Sequence, residues 1–525
     1  MEGRGMVRVV LSCDYTLMSD YWCVPLLNFL PCSPVENFPK SLFKFLSPSI
    51  PHYDGIAKFA PYGLRKLEAG LLRGYKPKEV VVAHPNYIEK FIDEDTKIIG
   101  LSEMDPLGLG PVTMMFTNGG TLTSYTKMYF TELVNRINKV REKRAPKAKL
   151  VIGGSGAWQL EIREGERKKL KIDHLVIGEL DVKAYEIFQS IEEDDAPEII
   201  KLRSIKDLNL IPSIVNPSIQ GMVEVMRGCG RNCEFCEPNL RLAKYFPLNK
   251  ISEEIDVNLK AGMSNVWIHS EDIFLYQLED KKNFIPNRDA LIELFSMVMK
   301  KEGVTNCNPT HGTICSAVAD PLMIKKISEI LKASPDHWIG LQPGLETGSS
   351  SLIKKYMPLK VKPFSPEEWQ DVVFEGTRIL NENYWFPAYT LILGLPGESP
   401  DDCWETVRLI DRMEKQLPEK VGPKAHFTAT PLSFVPLGVL KGEEFFKLEE
   451  MIDESRFAVI YRCWRHIMRE ARNASLKVLK ARNPLIWISV WLFMKFGNEL
   501  VIKAIEKWGE KMGFKVEKSL QITYN

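Results

Sequence analysis

The feature that most constrains the fold is a series of short strand-like runs between residues 221 and 440, separated by helical patterns. Helical periodicity lies between the runs, for example over Lys250–Ala261 and Trp369–Leu380. Repeated βα units place successive strands side by side, so the pattern predicts a partial (β/α)6 barrel with functional side chains at the C-terminal strand ends. The six runs are Met222–Met226, Asn265–His269, Gly312–Val318, Trp338–Gly344, Ala388–Leu393 and His426–Phe434.

Residues 1–195 alternate in the same way and predict a second α/β domain with a doubly wound, Rossmann-like sheet. Two of its runs lead into Gly153-Gly154 and Gly178, and glycines at strand ends lie where such sheets bind ligands. Residues 196–220 contain three prolines and no sustained period, which predicts a linker, and residues 441–525 predict a helical C-terminal region. The N-terminal runs are Val7–Cys13, Glu79–Ala83, Lys97–Leu101, Lys149–Ile152 and His174–Ile177.

Composition excludes several classes of protein. The 525 residues are 45% hydrophobic and 26% charged, which excludes a disordered, collagen-like or disulfide-scaffold chain. The net charge of +1 argues against a protein that binds nucleic acid over its whole surface, so no nucleic-acid partner is expected. We find no run of about 20 apolar residues and no signal peptide, and these features predict a cytoplasmic protein.

The strongest chemical signal is a cysteine triplet, Cys229, Cys233 and Cys236, immediately after the first strand of the predicted barrel. Three thiolates on one loop can hold three irons of a [4Fe–4S] cluster, and the fourth iron then keeps the open position that a catalytic metal needs. The alternatives are a structural zinc site, which lacks a nearby fourth ligand, and a thiol redox pair, which does not need Cys229.

The triplet, with Phe235 before its last cysteine, resembles the radical S-adenosylmethionine (radical SAM) superfamily. The resemblance implies two cofactors, a [4Fe–4S] cluster and SAM, and an external reductant such as ferredoxin. In this family the open iron chelates the amino and carboxylate groups of SAM. Electron transfer then gives methionine and a 5′-deoxyadenosyl radical, which removes hydrogen from an unactivated C–H bond. The resemblance assigns no catalytic side chain here.

Three further segments resemble the SAM-binding motifs of that family. Ser270-Glu271-Asp272 ends the second strand, where the family holds the SAM amino group, and a carboxylate facing an ammonium meets that need. Gly344–Ser349 resembles a Glu-Ser-Gly motif, which implies that Glu346 and Thr347 contact the ribose or methionine of SAM. Gly394 and Gly397, in Gly-Leu-Pro-Gly-Glu, are expected beside the adenosine. The alternative for each motif is an ordinary turn at the barrel rim.

The N-terminal domain resembles the cobalamin-binding domain that precedes many radical SAM barrels. The matching pieces are Ala60–Leu67, Gly153-Gly154 and Gly178-Glu179, although Asp-x-His-x-x-Gly is absent. Bound cobalamin and a scaffold or substrate-holding role are both open. The apolar, irregular stretch Tyr21–Tyr62 predicts either the cover of a cavity or a capping subdomain.

Five of the remaining cysteines are candidates for a second metal site. The alternative is isolated buried thiols, which are common in protein cores. The candidates are Cys13, Cys23 and Cys32 as one set and Cys307 with Cys315 as another.

The C-terminal region combines charge with apolarity. Between Arg456 and Arg482 there are eight Lys or Arg residues and one acid, and nine of the ten residues in Leu485–Met494 are apolar. Ten residues cannot span a bilayer, but they can lie in its interface. The prediction is peripheral contact with the inner membrane face, and the alternative is a helix buried against the barrel.

Together these regions resemble the archaeal lipid-modifying radical SAM enzymes, the group of GDGT ring synthases and tetraether synthases. The resemblance implies a long-chain isoprenoid lipid as substrate and C–C bond formation that closes cyclopentane rings. Such chemistry requires a long, apolar, dry cavity. The alternatives are a cobalamin-dependent radical SAM methyltransferase and a tRNA methylthiotransferase-like enzyme. The sequence shows no appended RNA-binding barrel domain at the C-terminus, which argues against the second.

Overall fold

The computed structural model describes residues 7–23, 25–237, 241–479, 488, 491–492 and 498–514. The chain divides into two compact units. The first comprises residues 1–223 and 246–266, and the second comprises residues 224–245 and 267–525. Two strands, β9 (Met222–Glu224) and β12 (Asn265–His269), begin in the first unit and end in the second.

The first unit is built on a six-stranded sheet whose pairs are all parallel. Its strands are β1 (Val9–Ser12), β4 (Val80–Val82), β5 (Ile98–Ser102), β6 (Lys149–Gly153), β7 (His174–Ile177) and β8 (Ile199–Lys201), with a separate hairpin of β2 (His52–Tyr53) and β3 (Ile56–Ala57). The order β4-β1-β5-β6-β7-β8 reverses direction between β1 and β5. In open α/β sheets such a reversal is where ligand clefts form.

Helices cover this sheet. They are α1 (Lys40–Leu46), α2 (Tyr62–Leu71), α3 (Pro111–Phe116), α4 (Tyr125–Arg144), α5 (Ala157–Ile162), α6 (Glu164–Lys169), α7 (Ala184–Glu192) and α8 (Leu248–Lys260). The helix α4 begins where Ser124 accepts a bond from the Lys127 amide, and it ends in a basic last turn that favours the negative end of its dipole.

The predicted linker is partly structured. Ile199–Lys201 is the last strand of the sheet, paired in parallel with β7. A strand of three residues is too short to show a period in the sequence, and the neighbouring prolines obscured it. The stretch predicted as a cover or cap packs through an aromatic cluster, in which Phe43 stacks on Tyr125 with ring centroids 4.0 Å apart.

The second unit carries the remaining strands in chain order. β9, β12 and β13 (Asn306–Pro309) form one sheet, while β14 (Ile339–Leu341), β15 (Gly344–Glu346), β16 (Trp385–Leu393) and β17 (Thr428–Ser433) form another. A parallel bridge between His311 and Gln342 connects the two sheets. A small antiparallel pair, β10 (Met226–Arg227) and β11 (Lys244–Tyr245), flanks the cysteine loop.

The helices of this unit are α9 (Arg288–Lys300), α10 (Ile314–Ala319), α11 (Pro321–Ile330), α12 (Ser350–Tyr356), α13 (Trp369–Glu382), α14 (Pro400–Val421), α15 (Leu448–Met451), α16 (Glu454–Leu479) and a final helix, Asn498–Lys511. They cover one face of β16, where Trp385 donates to the Ser328 hydroxyl at 2.7 Å. The α14 helix begins with a capping box formed by Ser399 and Asp402.

The third strand was predicted in the wrong place. Gly312–Val318 was expected to be a strand, but the strand is Asn306–Pro309, and Ile314–Ala319 is a buried helix. A short apolar run does not distinguish a buried strand from a buried helix. The true strand is polar because Asn308 replaces backbone pairing, bonding both the N–H and the C=O of Gly340 at 2.9 Å.

The structure neutralises much of the predicted basic region. Arg462 pairs with Asp411 on α14 at 3.1 Å, and Arg465 and Arg469 both approach Glu414. Arg456 binds Glu398 at 2.9 Å. Because these cations hold α16 in place, they add less positive surface than the sequence suggested.

The apolar C-terminal stretch is only partly described. Of Leu485–Met494, only Ile488, Trp491 and Leu492 lie within the described residues. The final helix packs on α16 through Trp508, whose ring centroid is 5.6 Å from that of Phe457. Among the helices that the structure describes, none is both long enough and apolar enough to cross a membrane.

Candidate functional site

The three cysteines lie on one loop that follows β10. Gly228, Gly230 and Asn232 adopt positive φ angles of 72°, 76° and 52°, which fold the chain tightly. A side chain at Gly228 would press on the Leu242 carbonyl at 2.9 Å. The loop closes when the Cys236 amide donates to the Cys233 carbonyl at 3.0 Å.

Burial keeps two of the thiols protonated in the absence of iron. It raises the pKa of Cys229, and it raises the pKa of Cys233 to about 11 although the charge of Lys360 acts in the opposite direction. Cys236 is less buried. A thiolate in such a place needs a positive partner, which a metal centre supplies.

Among the described residues, no group of three or more His, Cys, Asp or Glu side chains lies close enough to share a single metal ion. A four-iron cluster spaces its cysteines on separate irons, so this result does not conflict with the predicted cluster. It does mean that neither Cys13, Cys23 and Cys32 nor Cys307 and Cys315 belong to such a group.

Glu271, at the end of β12, has the properties expected of a group that binds a cation. Its Oε2 is buried and has no hydrogen-bond partner among the described residues. Burial, with a smaller contribution from the charge of Glu224, raises the pKa of Glu271 to about 7. A buried carboxylate oxygen without a partner is costly unless a ligand completes it.

The neighbours of Glu271 have different surroundings. Asp272 accepts from the Thr313 amide at 3.0 Å and from Arg231 at 3.3 Å, and also from the Thr313 hydroxyl, so the protein itself satisfies this carboxylate. The Ser270 hydroxyl is buried and has no partner among the described residues. Of the three predicted residues, Glu271 and Ser270 therefore retain capacity for a ligand.

The Gly344–Ser349 motif places Glu346 in an ion pair. Its Oε1 accepts from Lys360 Nζ at 2.9 Å, and the backbone of Glu346 has a positive φ of 63° at a bulge between β15 and β16. The hydroxyl of Thr347 caps the following turn by accepting from the Ser349 amide at 3.1 Å.

The other predicted SAM contacts lie in turns that close on the protein itself. A side chain at Gly394 would overlap the ring of Phe446. Gly397 has a positive φ of 78° and a more open surrounding, with Lys355 Nζ as its nearest neighbour. Glu398 accepts from both the Gly394 amide and Arg456 at 2.9 Å. Phe235 lies half-exposed beside Cys236.

Comparison with known proteins identifies the central region. Residues 223–410 match the model of the Radical SAM superfamily. Residues 223–410 are a radical SAM domain. Enzymes of this family use a [4Fe–4S] cluster and SAM, and the cysteine loop and Glu271 of this domain suit those two groups.

Several curated proteins are similar at low identity. A tRNA-2-methylthio-N(6)-dimethylallyladenosine synthase from Chromohalobacter salexigens is 22% identical over 289 residues, which are 54% of this chain and 61% of that protein. The ribosomal protein uS12 methylthiotransferase RimO from Leptospira biflexa is 25% identical over 38% of this chain and 40% of its own length. A tRNA-2-methylthio-N(6)-dimethylallyladenosine synthase from Ehrlichia ruminantium is 23% identical over 70% of this chain and 80% of that protein. The chain thus spans less than two thirds of the first two relatives.

A solved structure also resembles this chain. It is the radical S-adenosylmethionine methyltransferase TsrM from Kitasatospora setae, with 11% sequence identity and a TM-score of 0.49. The match covers 83% of this chain and 75% of that one.

Two residues of the radical SAM domain that the motifs did not predict are Arg231 and Lys360. Arg231 is 2% exposed and donates to the carbonyls of Leu359 and Lys360 at 3.0 Å and Lys362 at 3.2 Å. Its position between two cysteines is a signal that sequence reasoning could have used. Lys360 offers no such signal, because it reaches the site only through the fold.

The half-exposed face of β16 carries apolar side chains and the hydroxyl of Thr390. Along β16, Phe386, Ala388, Thr390 and Ile392 are half-exposed while the residues between them are buried. Thr390 lies beside Thr430 in the register with β17. At the ends of β12 and β13, His269 and His311 face each other with ring centroids 6.1 Å apart. Burial lowers the pKa of His311 to about 4 and also lowers that of His269, so both rings are neutral at pH 7.

The glycines that resemble a cobalamin domain are explained by packing within the first unit. A side chain at Gly154 would run into the backbone of Glu103, and one at Gly178 would run into the carbonyl of Leu202. Glu179 accepts from the amide of Ile205 at 2.7 Å. Packing within the protein explains these residues, so their presence does not support a cobalamin site.

Proposed function

We propose that this protein is a radical SAM enzyme in which Cys229, Cys233 and Cys236 hold a [4Fe–4S] cluster and Glu271 binds the amino group of SAM. The observation that carries the proposal is the buried, unpartnered Oε2 of Glu271 beside the cysteine loop. A reduced cluster held by these cysteines would supply the electron for cleavage of the C5′–S bond of SAM to methionine and a 5′-deoxyadenosyl radical. The protein's residues orient SAM and keep water from the radical.

We further propose that the radical acts on a substrate with hydrogen-bonding groups, such as a nucleobase or a protein side chain. The neutral imidazoles of His269 and His311 and the hydroxyls of Thr390 and Thr430 can each donate and accept hydrogen bonds. A substrate with hydrogen-bonding groups can bond the half-exposed hydroxyls of Thr390 and Thr430, which an all-hydrocarbon tail cannot do. The names of the curated relatives, which give tRNA and a ribosomal protein, support this substrate class.

The isoprenoid lipid is a second candidate. Its support is the apolar stretch Leu485–Met494 following the basic helix, a combination suited to a membrane interface. On this basis we propose C–C bond formation in lipid tails for the second candidate. The predicted partial barrel is a separate proposal. Most of the apolar stretch lies outside the described residues.

Product analysis separates the two candidates. The reconstituted enzyme is incubated anaerobically with SAM and dithionite, and with unmodified tRNA, ribosomal proteins or isoprenoid tetraether lipid in separate reactions. We expect 5′-deoxyadenosine in every reaction, and a mass change only in a nucleic acid or protein arm. A cyclised lipid product would replace the polar-substrate proposal with the lipid one. Absence of 5′-deoxyadenosine from the iron-loaded protein would remove the radical SAM proposal itself.

Flotation with anionic liposomes tests the membrane contact. Replacing Trp487, Trp491 and Phe493 with Ser should abolish flotation if the lipid candidate is correct, because apolar side chains anchor such segments. Leu210→Ser, at a half-exposed position of the first unit, is the matched control and should float as the wild type does. A wild-type protein that does not float at low salt would contradict the lipid candidate.

A further inference from the structure

We propose that Lys360 is a positioning residue that places a fixed positive charge beside the cluster cysteines and thereby raises the reduction potential of the cluster. The inference rests on the proposed cluster ligands. It concerns the residues around them, and the argument follows from three features of the second unit.

The first feature is a clamp built into the cysteine loop. Arg231 lies between Cys229 and Cys233, and its guanidinium donates to the carbonyl of Lys360 itself at 3.0 Å and to the carbonyls on either side. Cys315 adds a bond from its Sγ to the same Lys360 carbonyl at 3.3 Å. The loop therefore fixes the backbone of Lys360 relative to the cysteines.

The second feature is the hold on the ammonium group. Glu346 Oε1 accepts from Lys360 Nζ at 2.9 Å, and both side chains are about nine-tenths buried. A side chain at Gly344 would overlap Glu346 Oε1, so the glycine makes room for the pair. The positive φ of Glu346 is costly for a residue with a side chain, and such strain is typical of functional positions.

The third feature is unused capacity. An ammonium has three donors, and among the described residues only Glu346 accepts from Lys360. The Glu346 carboxylate, 2.9 Å from Lys360 Nζ, holds the ammonium in its charged form. The Arg231 clamp holds Lys360 in the part of the domain that carries the cysteine loop, where an anionic cluster would sit.

A fixed cation near a cluster favours the form with the extra electron, because reduction adds negative charge in a medium of low dielectric constant. Asp272 already neutralises Arg231, and the backbone carbonyls use its other donors. Lys360 has Glu346 as a counter-charge, so the pair acts as a dipole. Removing the positive charge of Lys360 should therefore lower the reduction potential, and removing the negative charge of Glu346 should raise it.

The experiment is a redox titration of the reconstituted full-length protein, followed by electron paramagnetic resonance, with iron content measured in parallel. We expect Lys360→Met to keep its iron but to lower the reduced-to-oxidised ratio about tenfold at a given solution potential, which is about 59 mV for one electron. Glu346→Gln should shift the potential the other way. Lys360→Arg should stay near the wild type, and Lys354→Met, at an exposed position of α12, is the matched control.

The outcomes distinguish this inference from the cluster assignment. If the wild type binds no iron, or if bound iron does not depend on the three cysteines, both the cluster assignment and the role of Lys360 are overturned. Iron-replete Lys360→Met and Glu346→Gln with unchanged potentials would overturn only the role of Lys360. Weaker SAM binding in Lys360→Met with an unchanged potential would likewise overturn it and assign Lys360 to SAM. If Lys360→Met is insoluble, a shift in the positive direction for Glu346→Gln supports the inference, and no shift overturns it.

Discussion

The two units carry buried acids at the same structural position, the C-terminal ends of parallel strands, but partner them differently. In the first unit Asp14 follows β1 and Glu103 follows β5, at the point where the strand order reverses, and Glu103 Oε1 accepts from the Asp14 amide at 3.0 Å. Burial first, and then each other's charge or that of a neighbouring acid, raises the pKa of both carboxyls. In the second unit Asp272 and Glu346 each face a buried cation.

We call the strand ends that carry Asp14 and Glu103 the closed edge, and the strand ends that carry Asp272 and Glu346 the charged edge. Two carboxyls without a cation are stable when buried only while they hold a proton, and the aromatic cap around Tyr15 and Phe43 excludes water from part of this unit. Opposed ion pairs stay charged and can orient an ionic cofactor. The two edges therefore differ in how their acids are partnered: cations pair with Asp272 and Glu346, whereas Asp14 and Glu103 have only hydrogen bonds among the described residues.

The largest expected effect concerns the cysteines of the charged edge. Cys229→Ala, Cys233→Ala or Cys236→Ala should each abolish 5′-deoxyadenosine formation and reduce bound iron, because each removes one of the three proposed ligands of the cluster. Chemical iron assay and product chromatography measure this. Cys307→Ala, at a buried cysteine without charged neighbours, should keep both. A cysteine variant with wild-type turnover would contradict the assignment.

The next effect is on stability. Asp272→Asn leaves Arg231 as a buried charge without its counter-ion, which should cost about 3–5 kcal/mol. The measurement is the urea denaturation midpoint of the protein without iron. Asp371→Asn, whose partner Arg412 lies near the surface, should change stability by less than about 0.5 kcal/mol. Equal midpoints for the two variants would show that the charged edge tolerates loss of a counter-ion.

The next prediction concerns the binding of SAM by Glu271, which precedes Asp272 in the chain. Glu271→Gln should keep its iron but bind SAM about 10- to 100-fold more weakly, since it loses a charged hydrogen bond. Because the pKa of Glu271 is raised to about 7, the wild-type carboxylate is protonated as pH falls, and SAM affinity should drop about tenfold from pH 8 to pH 6. Anaerobic titration calorimetry measures both. If the pH dependence of SAM affinity is the same in Glu271→Gln as in the wild type, a group other than Glu271 causes it.

The closed edge should respond to pH rather than to ligand. The raised pKa of Glu103 means that the folded state holds a proton the unfolded chain releases above its usual carboxyl pKa. The resulting stability is present at low pH and is lost as pH rises through the folded-state pKa. Glu103→Gln should therefore flatten the fall in thermal midpoint as pH rises above the usual carboxyl range, while Glu132→Gln, exposed on α4, should follow the wild type. A parallel fall in Glu103→Gln would show that another group causes the pH dependence.

The smallest effect is expected at Ser270. Its hydroxyl is fully buried without a partner among the described residues, so Ser270→Ala should leave stability unchanged or raise it by up to about 1 kcal/mol. SAM affinity should change less than in Glu271→Gln. A larger loss of affinity would show that the hydroxyl, and not the carboxylate, is the main protein contact of SAM.

The local signals in the sequence were sufficient for the α/β class and for much of the sheet in the first unit. His174–Ile177 and Asn265–His269 were predicted at their observed bounds, because the period of a strand is a local property. The cysteine triplet and Glu271 were also evident from short motifs. The polar strand Asn306–Pro309 was missed because its amide pairing depends on another strand.

The sequence by itself determined the candidate residues for chemistry, since the cysteine spacing and the strand-end acids can be read from neighbouring positions. Only the tertiary structure decided how their charges are balanced. Lys360 bonds Glu346 while Arg231 holds the Lys360 carbonyl, and Arg462, Arg465 and Arg469 of α16 approach acids on α14. Electrostatic partners are chosen by distance in space and by burial, and neither quantity can be read from separation along the chain.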